Sequence, residues 1–190
     1  MTDDHSPAPV REGDVLAKKY RVEKVLGVGG MGVVVAAMHL QLDQRVALKF
    51  LLPTVLYNKD VVARFAREER AAAKIRSEHV ARVIDVGELE TGSPYMVMEF
   101  LEGEDLAQLV ERRGALPLSD VVSYVLQACD ALAEAHAVGI VHRDLKPANL
   151  FLSARPDKTS IVKVLDFGIS KSMGTADAAL TNTQAIMGSP

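Results

Sequence analysis

A short polar loop between apolar flanks, VHRDLKPANLF at residues 141–151, holds three side chains that could act on one substrate. Asp144 could accept a hydroxyl proton, and Lys146 could neutralise negative charge that develops on a phosphoryl group. Asn149 carries a side-chain oxygen of the kind that a hard cation such as Mg²⁺ prefers. Asp166, in a later Asp-Phe-Gly sequence, could bind the same cation from another side. Each residue alone has an ordinary explanation, but their order and spacing together favour phosphoryl transfer.

A glycine-rich segment, GVGGMGVV at residues 27–34, fits the pattern G-x-G-x-x-G-x-V through Gly27, Gly29 and Gly32. Glycines let backbone N–H groups approach phosphate oxygens without interference from side chains. A dinucleotide-binding fold would place a helix next, but the β-prone VVVAAM follows, and no Gly-Lys-Ser/Thr sequence marks a Walker loop. Two interpretations of this segment alone stay open: a flap over phosphates, or a glycine-rich hairpin turn.

A lysine and a glutamate in separate elements form a candidate pair. Period-two alternation places Ala47 and Lys49 on one strand face, where a small residue beside a cation suits a flat ring with phosphates. Taken singly, Lys49 also fits a surface lysine on an edge strand. Glu68 lies in the middle of an inward apolar stripe of a predicted helix, where a carboxylate needs a cation. Lys49 is its expected partner, with a purely structural salt bridge as the alternative. Glu69 points about 100° away and is the poorer candidate.

The pattern of apolar residues predicts the elements that position these groups. Alternation with β-branched residues predicts five strands, at 20–26, 33–38, 45–51, 80–89 and 93–101. A helix at 58–76 lies among them, with Asn58 or Asp60 as its N-cap. Helices at 105–114, ended by Gly114, and at 119–137 follow, and then NLFL and IVKVL form a hairpin pair. The expected fold class is α+β, with an antiparallel five-stranded N-terminal sheet, one helix, and a mainly helical second part.

Composition narrows the class of protein. The 190 residues are 48% hydrophobic and 25% charged, which is typical of a soluble globular chain. The formal net charge of −3 gives no reason to expect nucleic acid or an anionic membrane as a partner. The single cysteine, Cys129, excludes an internal disulfide and fits a reducing, cytoplasmic compartment. The sequence does not predict a signal peptide, and it does not predict a segment that spans a membrane.

The helix at 119–137 carries its polar residues in one narrow stripe and is otherwise apolar. We therefore expect it to be buried on most sides, with Cys129 and His136 in the core. Residues 1–14 are expected to be a flexible tail. With one cysteine and dispersed histidines, the sequence does not predict a zinc cluster.

The segments GVGGMGVV, VALK, HRDLKPAN and DFG occur in the order of the protein-kinase signature set. From about Tyr20 to Pro190 the chain therefore resembles a protein kinase. The lysine in HRDLKPAN, Lys146, is similar to the residue that serine/threonine kinases carry at this position. The sequence as a whole resembles bacterial eukaryotic-like Ser/Thr kinases. The resemblance implies a kinase-like fold in which residues 15–101 form the N-lobe and hinge. Residues 102–190 would be a partial C-lobe that ends in the activation segment.

The resemblance implies that ATP and Mg²⁺ bind at the junction of the lobes, and it assigns a role to each motif residue. Gly27, Gly29 and Gly32 would cover the phosphates, and Lys49, oriented by Glu68, would hold the α- and β-phosphates. Asn149 and Asp166 would bind Mg²⁺. Asp144 would accept the proton of the substrate hydroxyl, and Lys146 would contact the γ-phosphoryl group. The groups that would surround the nucleoside are Leu26, Val34, Ala47 and Phe151 around adenine, Met98 as gatekeeper, and Asp105 at the ribose. Glu99 to Leu101 would be the hinge, whose backbone would read the edge of the adenine.

The resemblance also implies regulation by phosphorylation. Residues 169–190 would be the activation segment, and Arg143 would pair with a phosphate on Thr181 or Thr183 and order it. A plain solvated loop is the alternative for both threonines. Ser189 lies where the family has a hydroxyl residue near the catalytic aspartate. His142 is expected to pack beside Phe167 rather than to act as a base.

The sequence stops at GSP, whereas the family's second lobe continues into a substrate platform. We therefore expect the peptide docking surface, and the cover of the 119–137 helix, to be missing from this sequence. Three hypotheses follow. The first is a Ser/Thr protein kinase, seen incompletely, with protein substrates and a homodimer allowed for autophosphorylation. The second is an inactive ATP-binding fragment that serves as an interaction module. The third is a small-molecule phosphotransferase, against which Lys146 and the long activation segment argue.

Overall fold

The computed structural model describes residues 10–29 and 31–167, with the side chain of Glu68 outside that description. Six strands form an antiparallel sheet in the order β1-β2-β3-β4-β6-β5. They are β1 (Val15–Leu16), β2 (Tyr20–Val28), β3 (Gly32–His39), β4 (Gln44–Leu51), β5 (Val83–Glu88) and β6 (Pro94–Glu99). The five predicted strands are confirmed. The two-residue β1, which pairs with the start of β2, is an addition that the sequence analysis did not predict.

One face of this sheet carries its main apolar core. Alternate residues of β2, β3, β4 and β6 lie in one buried cluster that includes Val22, Val35, Leu48 and Val97. Val10 packs into the same cluster, and the N–H of Gly13 donates to the carbonyl of Val22 at 2.9 Å. Contacts with the sheet therefore begin before residue 14, where the predicted tail was expected to end.

Helix α1 (Lys59–Ala72) lies between β4 and β5 in the chain. Asn58 is its N-cap, because its side-chain oxygen accepts hydrogen bonds from the N–H groups of Asp60 and Val61 at 3.0 and 3.3 Å. Phe65 on this helix is buried against Leu51. The helix is thus fixed to the second face of the sheet, at the end of the strand that carries Lys49.

The second part of the chain has a small sheet and two helices. The elements are β7 (Gly103–Asp105), α2 (Leu106–Arg113), α3 (Leu118–Ala137), β8 (Leu150–Ala154) and β9 (Ser160–Val164). The hairpin of β8 and β9 and the end of α2 at Gly114 are confirmed, whereas β7 was not predicted. Gly103 is required at the β7 edge, because a Cβ there would lie 2.0 Å from the carbonyl oxygen of Leu152.

Strand β9 also joins the two sheets through the segment that follows α1. Its Val164 forms a parallel bridge with Val80. The N–H of Val164 donates to His79 O at 2.8 Å, and Val164 O accepts from Ala81 N–H at 3.2 Å. These bonds fix the end of β9 relative to the N-terminal part, just before the chain reaches Asp166.

Helix α3 is not buried on most sides, and it packs on the rest of the chain through its small residues. Its small residues Ala128, Ala131 and Ala135 are buried with Val164 and Phe167 in one cluster. The prediction that Cys129 and His136 belong to the core is wrong, because both side chains are exposed. The alanines offer little side-chain bulk, so the helix can approach β9 closely on that face.

Two members of the polar stripe of α3 turn toward the molecule and accept backbone hydrogen bonds. Gln127 Oε1 accepts from the N–H of Val162 at 2.8 Å, and Glu134 Oε1 accepts from the N–H of Arg76 at 3.1 Å. Meanwhile Leu126 is 61% exposed on the other face. Within residues 10–29 and 31–167, no helix has the length and apolarity needed to cross a membrane.

Candidate active site

The centre of the site is an ion pair between Lys49 on β4 and Asp166, just beyond β9. The Lys49 ammonium donates a short hydrogen bond to Asp166 Oδ1. Their side chains are only 23% and 26% exposed, so the pair is largely shielded from water. The structure thus brings together two residues that the sequence analysis assigned to phosphate and metal binding from opposite ends of the chain.

The loop between α3 and β8 presents the other chemical groups. Lys146 Nζ lies 3.1 Å from Asp144 Oδ2. The amide nitrogen of Asn149 donates to the backbone carbonyl of Asp144 at 2.7 Å, so this side chain braces the loop from the inside. The N–H of Leu165 donates to Asn149 O at 2.9 Å, which ties the loop to the residue before Asp166. Asp144, Lys146 and Asn149 therefore lie in one loop, and a backbone hydrogen bond joins this loop to the residue before Asp166.

His142 fixes the other end of the loop. Its Nε2 bonds to the carbonyl of Leu165 at 2.8 Å, and its ring lies 4.9 Å from the ring of Phe167. The packing role predicted for His142 is confirmed. Arg143 and Asp166 have φ values of +63° and +49°, in the left-handed region that non-glycine residues seldom adopt. Such backbone is held only where the surroundings determine it, which is common at functional sites.

The electrostatics of the site favour an ionised Asp166. Burial disfavours the charged carboxylate and by itself would raise its pKa. The charge and hydrogen bond of the adjacent Lys49 ammonium, together with smaller contributions from His142 and Lys146, outweigh this effect and hold the pKa of Asp166 below its ordinary value of 3.8. At neutral pH Asp166 is therefore an anion that can bind a cation.

The chemistry of these groups fits Mg²⁺. Asp166 offers a carboxylate oxygen, and the bond from the nitrogen of Asn149 to Asp144 leaves the carboxamide oxygen on the opposite side of that amide. Mg²⁺ takes oxygen ligands and is commonly held by one or two protein groups with phosphates and water. Within the described residues, no cluster of three His, Cys, Asp or Glu side chains could hold a metal by itself.

The glycine-rich segment forms the turn between β2 and β3. The N–H of Gly29 donates to Gly32 O at 2.8 Å and closes the turn, and Gly27 pairs with Val34 across the two strands. A Cβ at Gly32 would lie 2.7 Å from Phe50 O, so glycine is required there for strand packing. A Cβ at Gly29 would meet nothing closer than 3.7 Å. Fold geometry thus explains Gly32 and leaves Gly29 without a steric reason.

Most of the predicted adenine-binding residues meet in one apolar cluster of the N-terminal sheet. Leu26, Val34 and Ala47 form one buried apolar cluster, and Met98 packs against it. Leu101 belongs instead to a separate cluster with Phe151, which is fully buried. The structure offers no exposed face of Phe151 to a ring, so its adenine contact stays a prediction.

Two further predicted nucleotide contacts use their side chains for other purposes. Asp105 caps α2, since its Oδ1 accepts from the N–H groups of Ala107 and Gln108, both at 2.9 Å. Glu99, at the start of the predicted hinge, turns its carboxylate to Lys163 Nζ at 2.7 Å. The ribose role of Asp105 stays a prediction. Lys163 was missed by the sequence analysis, although a lysine within the apolar run IVKVL was a signal for a buried partner.

Four predicted residues lie outside what the structure describes. The side chain of Glu68 is one of them, so its pairing with Lys49 stays a prediction. Its neighbour Glu69, which the helical pattern made the poorer candidate, is buried on α1, with 6% of its surface exposed. Thr181, Thr183 and Ser189, with the rest of the predicted activation segment at residues 169–190, also lie outside the described residues.

The fold and the site define a class of protein. The family model described as "Protein kinase domain" matches residues 20–190. The chain therefore belongs to the protein kinase family.

The relatives and structural neighbours agree with this class. The chain is 42% identical over 180 residues to the serine/threonine-protein kinase pkn3 of Myxococcus xanthus, covering 94% of this chain and 33% of that protein. It is 37% identical over 176 residues to the serine/threonine-protein kinase PknB of Mycobacterium leprae, covering 91% and 28%. A crystal structure of a double mutant of the Mycobacterium tuberculosis PknI kinase domain has a TM-score of 0.73 and 31% identity, covering 86% of this chain and 63% of that one. The chain spans about a third or less of these curated relatives.

Proposed function

We propose that this chain binds ATP with Mg²⁺ beside the Lys49–Asp166 pair and that the protein transfers the γ-phosphate to Ser or Thr hydroxyls of protein substrates. The observation that carries the proposal is the meeting of this pair with the loop of Asp144, Lys146 and Asn149, through the bonds that Asn149 makes to Asp144 and Leu165. The relatives are named serine/threonine-protein kinases, which supports protein hydroxyls as acceptors.

The residues have separable tasks in this reaction. Lys49 would hold the α- and β-phosphates, and Asp166 with the oxygen of Asn149 would hold Mg²⁺. When bound, the metal would offset charge on the phosphate oxygens. The acceptor oxygen forms a bond to the γ-phosphorus as the bond to the β–γ bridging oxygen breaks, and ADP leaves. Asp144 would take the hydroxyl proton. Lys146, whose Nζ lies 3.1 Å from Asp144 Oδ2, would offset negative charge on the transferred phosphoryl group.

The test separates binding from transfer in the 190-residue chain. We expect ATP with Mg²⁺ to raise the melting temperature of the unaltered chain and of Asp144→Asn, but not of Lys49→Met combined with Asp166→Asn. With γ-labelled ATP and a serine-rich acceptor protein, we expect labelling by the unaltered chain and by Asp130→Asn, an exposed control. Asp144→Asn should lose at least about a hundredfold, the usual contribution of a general base.

The outcomes distinguish the remaining hypotheses. ATP binding with equal, background labelling by the unaltered chain and Asp144→Asn would favour the inactive interaction module and contradict transfer by this chain. No nucleotide effect on any variant would contradict the proposed function altogether.

A further inference from the structure

The predicted hinge, Glu99 to Leu101, borders a cavity of about 550 Å³ whose wall includes Lys163 of β9. Lys163 and Glu99 are 12% and 23% exposed, and the ammonium donates to Glu99 Oε1 at 2.7 Å. Charges are seldom removed from water in this way without a specific partner. The pair lies outside the groups assigned to phosphates, metal or acceptor, so its position needs a reason of its own.

Glu99 is connected to a second segment by two hydrogen bonds. Its Oε1 also accepts from the N–H of Arg82 at 2.8 Å, and its own N–H donates to Arg82 O at 2.9 Å. One residue at the start of the hinge is thereby tied to the strand region before β5 and, through Lys163, to β9. Three positions after Lys163 the chain reaches Asp166.

The neighbouring hinge residue is anchored as well. The guanidinium of Arg45 lies 5.2 Å from the ring centre of Phe100, within the range of a cation–π contact. Two consecutive hinge side chains are therefore each held by a cation from a different strand. Such anchoring fixes the path of the hinge backbone.

A largely buried ion pair is a poor way to stabilise a fold, because the loss of hydration offsets most of the attraction. Its use here is better explained by geometry. We propose that Glu99 and Lys163 are positioning residues of the nucleotide site: their pair fixes the hinge relative to β9, and so fixes the adenine-reading backbone relative to the Lys49–Asp166 pair. This inference rests on the proposed function, since it concerns the spacing between the parts of the same site that bind the base and the phosphates.

The inference is tested with two probes that share the phosphates but differ in the base. ATP with Mg²⁺ engages both the hinge and Lys49, whereas inorganic tripolyphosphate with Mg²⁺ engages only the phosphate side. We expect Lys163→Gln and Glu99→Gln to weaken ATP binding by about fivefold, the lower end of couplings usual between linked sites, and to leave tripolyphosphate binding unchanged. Calorimetric titration of the 190-residue chain measures both affinities.

The double variant Glu99→Gln with Lys163→Gln separates positioning from plain stability. It leaves no unpaired buried charge, so we expect its melting temperature to return toward that of the unaltered chain. The loss of ATP affinity should persist, because the hinge stays loose. This variant also decides the matter if either single variant fails to fold.

Two controls frame the result. Arg155→Gln removes another ion pair from the wall of the same cavity, with Glu78 rather than the hinge, and should change neither affinity. Lys49→Met should weaken both probes. The inference is overturned if the double variant binds ATP as tightly as the unaltered chain, or if it loses both probes equally. If the unaltered chain binds no ATP, the proposed function itself fails.

Discussion

Gln127 on α3 accepts a hydrogen bond from the backbone N–H of Val162 on β9 at 2.8 Å. The same strand carries Lys163 and leads directly to Asp166. A polar side chain of the helix therefore accepts a hydrogen bond from the backbone of the strand that leads to Asp166, the carboxylate proposed to bind the metal.

The first prediction concerns this bond. Gln127→Leu should lower the free energy of unfolding by about 1–3 kcal/mol, because the N–H of Val162 would stay buried without an acceptor. Gln127→Glu keeps an acceptor oxygen and should cost less. Urea denaturation measures both, with Asp130→Ala, at an exposed position of the same helix, as a control expected within about 0.5 kcal/mol. A cost for Gln127→Leu no larger than that of the control would contradict the role of this bond.

The second prediction concerns the orientation of α3. Leu126 is 61% exposed and Ala131 is fully buried. Leu126→Gln should therefore change the free energy of unfolding by less than about 0.5 kcal/mol. Ala131→Leu should destabilise by about 1–3 kcal/mol, because extra methylenes do not fit between the helix and β9. The opposite ranking in urea denaturation would show that the helix buries its apolar face after all.

Local patterns were sufficient to predict the strands that carry the site. Period-two alternation placed Lys49 in β4, and the Asp-Phe-Gly and HRDLKPAN motifs located the groups that the structure brings together. The orientation of α3 could not be predicted in this way, because periodicity identifies a stripe but not the face that packs. Backbone donors of β9 and Arg76, unknown from sequence, decided that Gln127 and Glu134 turn inward.

Lys163 was missed for a related reason. A lysine in an apolar strand indicates a buried partner, but the partner, Glu99, lies in a distant segment that was already assigned to nucleotide binding. Spacing along the sequence cannot predict such a pair, because it does not show that β9 packs beside the hinge. The packing does not support two of the expectations. Asp105, predicted at the ribose, caps α2, and Phe151, predicted at the adenine, is fully buried.

The third prediction follows from the lowered pKa of Asp166. A carboxylate whose folded pKa lies below its ordinary 3.8 stabilises the folded chain above that value, and the contribution disappears as pH falls through the folded pKa. In Lys49→Met, burial remains and its main opposing charge is gone. The variant should therefore be less stable by about 1–3 kcal/mol near neutral pH, the cost of removing a hydrogen-bonded partner from a shielded charge.

The pH dependence distinguishes this ion pair from a general packing defect. The difference in free energy of unfolding between the unaltered chain and Lys49→Met should shrink as the pH is lowered below 3.8, where the carboxylate takes up its proton. Lys24→Met, at an exposed position of β2, should show no such trend. A difference that stays constant from neutral to acidic pH would mean that the charge of Asp166 is not what Lys49 stabilises.

The fourth prediction decides between the two interpretations of the glycine-rich segment. A Cβ at Gly32 would lie 2.7 Å from Phe50 O, so Gly32→Ala should destabilise the fold by about 1–3 kcal/mol whichever interpretation holds. At Gly29 the nearest atom would be 3.7 Å away, an ordinary contact, so Gly29→Ala should leave the free energy of unfolding nearly unchanged. A phosphate flap needs the backbone there to approach the ligand, and an added methyl group would hold the phosphates away. Gly29→Ala should then weaken the binding of both ATP and tripolyphosphate, measured by calorimetric titration. If both affinities and the stability are unchanged, the segment is a hairpin turn whose glycines serve only the packing of β3 on β4.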